Sequence, residues 1–313
     1  MRWNVIIKRP SWSALIMNSS TASDAPLKGI ACMVFGTVLL TSNDAITKWL
    51  LTSLHPGDVM AWRGLLSLPF VLLILQLEGG SLSSLRSKAP KRNFLRAVLA
   101  LVTSAFVILS FQALPLADAL AVIFVSPVMT TALSALVLKE NVGWRRWLAT
   151  MAGFVGAMII VGPSFEEVGW AVLAPLAAAF FAALRDISTR SLSRIDNGPS
   201  ILFWSMFVGM VGGFMSLPIM GASPVSNEGW LLFVGASAML ATSNRLIIAA
   251  FKFASGAIVA PLKYLALIWA AALGYLIWGD IPSLQTALGA VIVAMAGLYI
   301  WRREVILERE RQK

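Results

Sequence analysis

The chain has 313 residues, 58% of them hydrophobic and only 13% charged, with a formal net charge of +10 and a mean hydropathy of +0.80. Soluble domains carry about 45–50% apolar and about 25% charged residues, so this chain lacks the polar material to wet a globule of its size. A soluble enzyme, a disordered protein and a disulfide-stapled secreted domain are excluded on that ground. One cysteine, Cys32, and one histidine, His55, leave no internal disulfide, no histidine-based metal site and no catalytic dyad. Neither catalytic residues, nor a metal, nor a cofactor is expected.

A helix needs about 20 mostly apolar residues to cross a hydrocarbon core. Ten stretches qualify, near 29–51, 58–77, 94–114, 118–138, 146–163, 168–189, 199–219, 229–251, 255–277 and 283–301. Turn chemistry separates them at His55-Pro56-Gly57-Asp58, Glu78-Gly79-Gly80, Gly162-Pro163-Ser164, Asn197-Gly198-Pro199 and Gly279-Asp280-Ile281-Pro282. The reading is an all-α integral membrane protein of ten transmembrane helices. Residues 1–28 form a basic leader with no apolar run long enough for a signal peptide. Met1 and Met17 both fit as the start, and residues 302–313 form a charged tail.

With the N-terminus in the cytoplasm, 20 of the 25 Lys and Arg residues fall in the leader, the cytoplasmic loops and the tail. Arg86, Lys88, Lys91, Arg92 and Arg96 after span two belong to that set. The outer loops hold no cation but do hold Asp58, Asp118, Glu166, Glu167, Glu228 and Asp280. Both termini are therefore placed inside, in the cell inner (plasma) membrane. The +10 reads as topology beside an anionic lipid surface, and nucleic acid is not an expected partner. Trp170, Trp230 and Trp278 at outer ends, and Trp144, Trp147 and Trp301 at inner ends, suit aromatic belts. Trp269, near the middle of span nine, does not.

Slid along itself by a little under half its length, the chain partly matches its own sequence. Phe111 meets Phe251, Leu133 meets Leu273, Leu136 meets Leu276 and Glu140 meets Asp280. A slightly larger displacement lays Asp44-Ala45-Ile46-Thr47-Lys48 on Asp186-Ile187-Ser188-Thr189-Arg190, and Trp62 on Trp204. Five spans is an odd number, so two such halves, 29–163 and 168–301, must have opposite orientation. Inverted repeats of this kind build secondary transporters whose substrate site lies between the halves.

Particular segments sharpen this. Ser42-Asn43-Asp44-Ala45-Ile46-Thr47-Lys48-Trp49, Arg63-Gly64, Ala113-Leu114-Pro115-Leu116-Ala117-Asp118-Ala119, Ser126-Pro127 and Lys139-Glu140 stand in the first half. Ala250-Phe251-Lys252-Phe253-Ala254-Ser255, Ala260-Pro261-Leu262-Lys263-Tyr264, Ile268-Trp269-Ala270-Ala271, Gly274-Tyr275 and Gly279-Asp280 stand in the second. In these the chain resembles the EamA-type branch of the drug/metabolite transporter superfamily over residues 28–301. The resemblance implies a ten-helix permease of two inverted five-helix repeats that carries a small metabolite. It spans amino-acid exporters and carriers of nucleoside-like or flavin metabolites, and so implies transport without naming a substrate.

Charge inside a bilayer is costly and by default functional. Lys48, Arg63, Arg185, Arg245 and Lys263 lie within spans, against only Asp44 and Asp186. Asp44 and Lys48, one turn apart, are expected to pair, with Arg63 completing a network. Asn244-Arg245 and Lys263-Tyr264 are expected near the pathway, and Tyr264, Trp269 and Phe124 as stacking faces. Arg63, Arg245 and Lys263 fall on Ser205, Ala105 and Ile123 in the other half, an asymmetry that suits substrate contacts better than scaffolding. The cation excess favours an anionic or zwitterionic cargo such as an amino acid, moved by alternating access, with export indicated by the resemblance. Asp44 is the candidate carrier of a coupling proton. Uptake of a flavin- or S-adenosylmethionine-type metabolite is the alternative, and a non-transporting scaffold or sensor the second. A monomer and a homodimer both fit.

Overall fold

The computed structural model describes residues 26–77, 79–137, 144–168, 173–192, 195–253 and 261–311, and among them it contains helices and no strand. Lys139-Glu140, Trp170, Ser255–Ala260 and the leader up to residue 25 lie outside the described residues. The α-helices run α1 Pro26–Leu50, α2 Pro56–Leu77, α3 Pro90–Ala113, α4 Leu116–Ile123, α5 Ser126–Val137 and α6 Trp144–Val168. They continue with α7 Leu173–Leu192, α8 Gly198–Met220, α9 Asn227–Phe253, α10 Leu265–Trp278 and α11 Leu284–Arg311. Six of them, α1, α2, α3, α8, α9 and α11, are by length and composition able to cross a membrane.

Local chemistry sets the ends. α2 and α3 begin on Pro56 and Pro90, whose missing N–H costs nothing at a first helical position. Asn197 caps α8 by accepting from the Ser200 N–H at 3.1 Å. α10 stops at Gly279, whose φ of +74° suits a residue without a Cβ. Two boundaries differ from expectation. α6 runs through Gly162-Pro163-Ser164 to Val168, because a proline removes only one helix hydrogen bond and need not end a helix. α11 continues through the expected tail to Arg311.

Spans four and nine are not continuous helices. Pro127 has no N–H for the Ile123 carbonyl, and the chain tightens there: Val125 N–H bonds to the Val122 carbonyl, three residues back. α4 therefore ends and α5 begins anew. In the second half a short 3₁₀ turn, Pro261–Tyr264, precedes α10. The two interruptions meet. The rings of Phe124 and Tyr264, from opposite halves of the sequence, pack with centroids 5.5 Å apart.

The main helix partners are α1 with α9, α3 with α7, α2 with α8, and α6 with α11. Exchanging α1, α2, α3 and α6 for α7, α8, α9 and α11 leaves these partnerships unchanged. A carboxylate further ties α2 to the chain just after α8, and a second ties the start of α8 to the start of α3 and the segment before it. Asp58, expected in an outer loop, is buried in the first turn of α2 and accepts from the Ser223 N–H at 3.0 Å. At the opposite end buried Asp196 accepts from Lys88 N–H at 2.6 Å, Asn93 Nδ2 at 3.1 Å and the Ser87 hydroxyl. Both acids satisfy donors that would otherwise be orphaned.

Candidate functional site

α1 places a polar stripe along one side, with Thr37, Thr41, Asp44 and Lys48 at helical spacing. Thr41 and Thr47 turn their hydroxyls back onto the carbonyls of Thr37 and Asn43, so the helix absorbs them. Asp44 accepts from Asn43 Nδ2 at 3.1 Å. Arg63 of α2 is its electrostatic partner. The Arg63 guanidinium also donates to Ser104 Oγ on α3 at 2.7 Å and to Thr47 Oγ1 on α1 at 3.4 Å. One guanidinium thus joins three helices.

Lys48 does not join Asp44. Its ammonium donates to the Leu114 carbonyl at 2.5 Å and lies 5.3 Å from the centroid of Trp278. The reason is local: α3 ends at Ala113, and the next helix starts anew after Pro115, whose carbonyl takes its first bond from the Ala119 N–H, which leaves the Leu114 carbonyl free for a long side chain. A one-turn spacing made the Asp44–Lys48 pair available, and a freed backbone acceptor won.

A second cluster lies at the far ends of the helices. Arg185 grips Asp186 through Nη2 at 2.9 Å and Nε at 3.0 Å. Lys263, in the 3₁₀ turn before α10, acts electrostatically on Asp186 as well. So does Arg96, read from the sequence as a loop cation. It stands within α3, half-buried, and donates to Thr189 Oγ1 at 3.0 Å, to the Ile201 carbonyl at 3.4 Å and to the Ser205 hydroxyl. Arg185 thus pairs with the Asp186 carboxylate directly, and Lys263 and Arg96 stand within electrostatic range of it.

The remaining candidates separate. Trp269 donates its indole N–H to Thr37 Oγ1 at 3.3 Å, tying α10 to α1. Asn244 donates to the Leu240 carbonyl of its own helix at 3.0 Å, while the neighbouring Arg245 side chain is exposed. Tyr264 packs its ring on Phe124 and its hydroxyl against Gly297 of α11. A Cβ at residue 297 would stand 2.8 Å from Tyr264 Cζ and nearer still to the hydroxyl. Gly297→Ala is therefore expected to destabilise the protein by about 2 kcal/mol. Tyr264→Phe should recover part of that loss, as read by thermal unfolding in detergent.

Asn43, Ser104, Thr189, Ser205 and Arg96 were not singled out by the sequence. Hydroxyls on apolar helices are too common to flag, and only Thr189 and Ser205 had a signal, as counterparts of Thr47 and Arg63 in the internal match that lays Asp44 on Asp186.

Among known proteins, the model of the EamA-like transporter family matches the chain twice, at residues 27–162 and 169–302. The chain belongs to that family. The riboflavin transporter of Rhizobium johnstonii is 30% identical over 94% of this chain and 98% of its own length. The S-adenosylmethionine uptake transporter of Rickettsia prowazekii is 30% identical, covering 88% of this chain and 92% of that protein. The pseudopaline exporter CntI of Pseudomonas aeruginosa is 23% identical over 88% of this chain and 96% of its own. A solved crystal structure superposes with a TM-score of 0.60 at 16% identity, covering 89% of this chain and 96% of the other, and supports the fold. The chain is an EamA-like transporter built largely of apolar helices.

Proposed function

We propose that this EamA-like protein is a secondary carrier of a small carboxylate-bearing metabolite, working by alternating access in the inner membrane. Ten spans in two inverted five-helix repeats, 29–163 and 168–301, with cytoplasmic termini, are part of the proposal. Its support is the exchange symmetry of the helix partners and the two consecutive family matches. The observation that carries the substrate class is the cation excess around Asp186, which Arg185 pairs directly and which Arg96 and Lys263 sense electrostatically. A substrate carboxylate would complete that charge balance through charge-assisted hydrogen bonds. Asp44 is the proposed site of a coupling proton.

Export of an amino-acid-like zwitterion and uptake of an S-adenosylmethionine-like one both satisfy this chemistry. The name of the Rickettsia prowazekii relative at 30% identity favours the second. Counterflow in proteoliposomes tests the proposal. Amino acids or S-adenosylmethionine should exchange, and Lys263→Ala should raise their KM about tenfold, the cost of one lost charge-assisted contact. Counterflow of riboflavin alone, unaffected by Lys263→Ala, would overturn the carboxylate reading. Absence of any counterflow from correctly inserted protein would overturn the carrier reading.

A further inference from the structure

The contacts of Arg63 and Arg96 lead one step further, resting on the alternating-access reading. The internal match that lays Asp44 on Asp186 also lays Thr47 on Thr189 and Arg63 on Ser205. Thr47 and Thr189 each stand three residues before the end of their helix, and Arg63 and Ser205 are each the eighth residue of the next. In the proposed topology these are equivalent places at opposite sides of the membrane.

They are filled differently. At the first, Arg63 donates to Thr47 and Ser104, so donor and acceptors all belong to the first half. At the second, the guanidinium comes from the opposite half. Arg96 of α3 reaches Thr189 of α7 and the Ile201 carbonyl and Ser205 hydroxyl of α8. Asn93, nearly one turn earlier on α3, adds bonds to Asp196 and Ser200. Either displacement of the internal match carries Arg96 into Ala236-Ser237-Ala238, so the second half offers no matching cation. On the outer side Asp58 of the first half accepts from the Ser223 N–H of the second at 3.0 Å and Lys48 faces the Trp278 ring, so the halves are tied there too, but without a guanidinium fork of the kind Arg96 supplies.

We infer that Arg96 is a latch between the two halves on the cytoplasmic side. Opening that side parts α3 from α7 and α8, and Arg96 must release three acceptors for this to happen. The latch biases the carrier toward the state closed to the cytoplasm, and its role is positional, since it acts through the helices it joins.

Cys32 is the single cysteine, so Cys32→Ala supplies a cysteine-free background. Ala100→Cys, one turn deeper on the side of α3 that bears Arg96, then reports access from the cytoplasm. The measurement is its labelling rate by a membrane-impermeant maleimide in inside-out vesicles. Arg96→Ala should raise that rate about tenfold, the population shift expected for a lost charge-assisted bond. Thr189→Val combined with Ser205→Ala should do the same, and adding Arg96→Ala to that pair should change little more. Unchanged labelling in a folded Arg96→Ala protein, or in the acceptor variant, would overturn the latch. The acceptor variant keeps the cation and decides the matter should Arg96→Ala fail to insert. Labelling needs no substrate, so a failure of the latch and a failure of the transport reading are told apart.

Discussion

Arg63→Ala is expected to abolish counterflow and to lower the stability of the folded protein by about 3 kcal/mol. The guanidinium is the electrostatic partner of Asp44 and the shared donor to Thr47 and Ser104. Its removal leaves a carboxylate within an apolar bundle with Asn43 Nδ2 as its hydrogen-bond donor. Breaking a buried pair from one side is costly because the other charge stays behind uncompensated. Three variants separate structure from transport. Arg63→Lys keeps the charge but loses the fork that reaches α1 and α3 together, and should be intermediate in stability. Asp44→Asn added to Arg63→Ala should restore much of the stability, since the orphaned charge is gone. It should not restore transport. Thermal unfolding in detergent and counterflow on the same preparations read the two effects. A stable, fully active Arg63→Ala protein would show that the cluster is neither a staple nor part of the pathway.

The fold was legible in the sequence wherever a single strong signal set it. Long apolar runs marked the helices, and Pro56, Asn197 and Gly279 marked their ends, because these residues act within a few positions of themselves. Pro127 and Pro261 stood out within the segments that carry the resemblance, and that the helix interruptions beside them meet through Phe124 and Tyr264 is a tertiary fact. The charged residues in spans were legible as costly, whereas their partners were not. Spacing along α1 offered Lys48 to Asp44, yet the lysine found the Leu114 carbonyl, a partner 66 residues away. Arg96 shows the same limit from the other direction. Counted among the loop cations, it stands within α3, and side-chain length lets it reach across to α7 and α8. Sequence distance carries no information about either reach.

Gly213→Ala and Gly209→Ala should have opposite outcomes, although the two residues stand one turn apart on α8 and together form a small-xxx-small pattern. Such a pattern predicts close helix packing at both glycines. In the folded chain only Gly213 lies on the seam. A Cβ there would come within 2.6 Å of Ala61 Cα and 2.8 Å of the Met60 carbonyl carbon, both backbone atoms of α2. On the facing helix, a Cβ at Gly64 would lie 2.7 Å from Met210 N, so the two backbones touch from both sides. No rotamer change can relieve such contacts, and the helices must separate. At Gly209 no described atom lies within 4 Å of the added carbon. Gly213→Ala is therefore expected to cost about 3 kcal/mol, at the upper end for overpacking. Gly209→Ala should be neutral or stabilising by up to about 1 kcal/mol, the gain of replacing a helical glycine by alanine. The seam matters beyond stability, because α2 is also fastened to the chain just after α8 through Asp58 and the Ser223 N–H. A pair held along its length and at one end is a part of the bundle with little freedom to move. The remaining helices would then rock about it. Gly213→Ala, assayed at a temperature where it stays folded, should slow counterflow as well, while Gly209→Ala should leave the rate as it is.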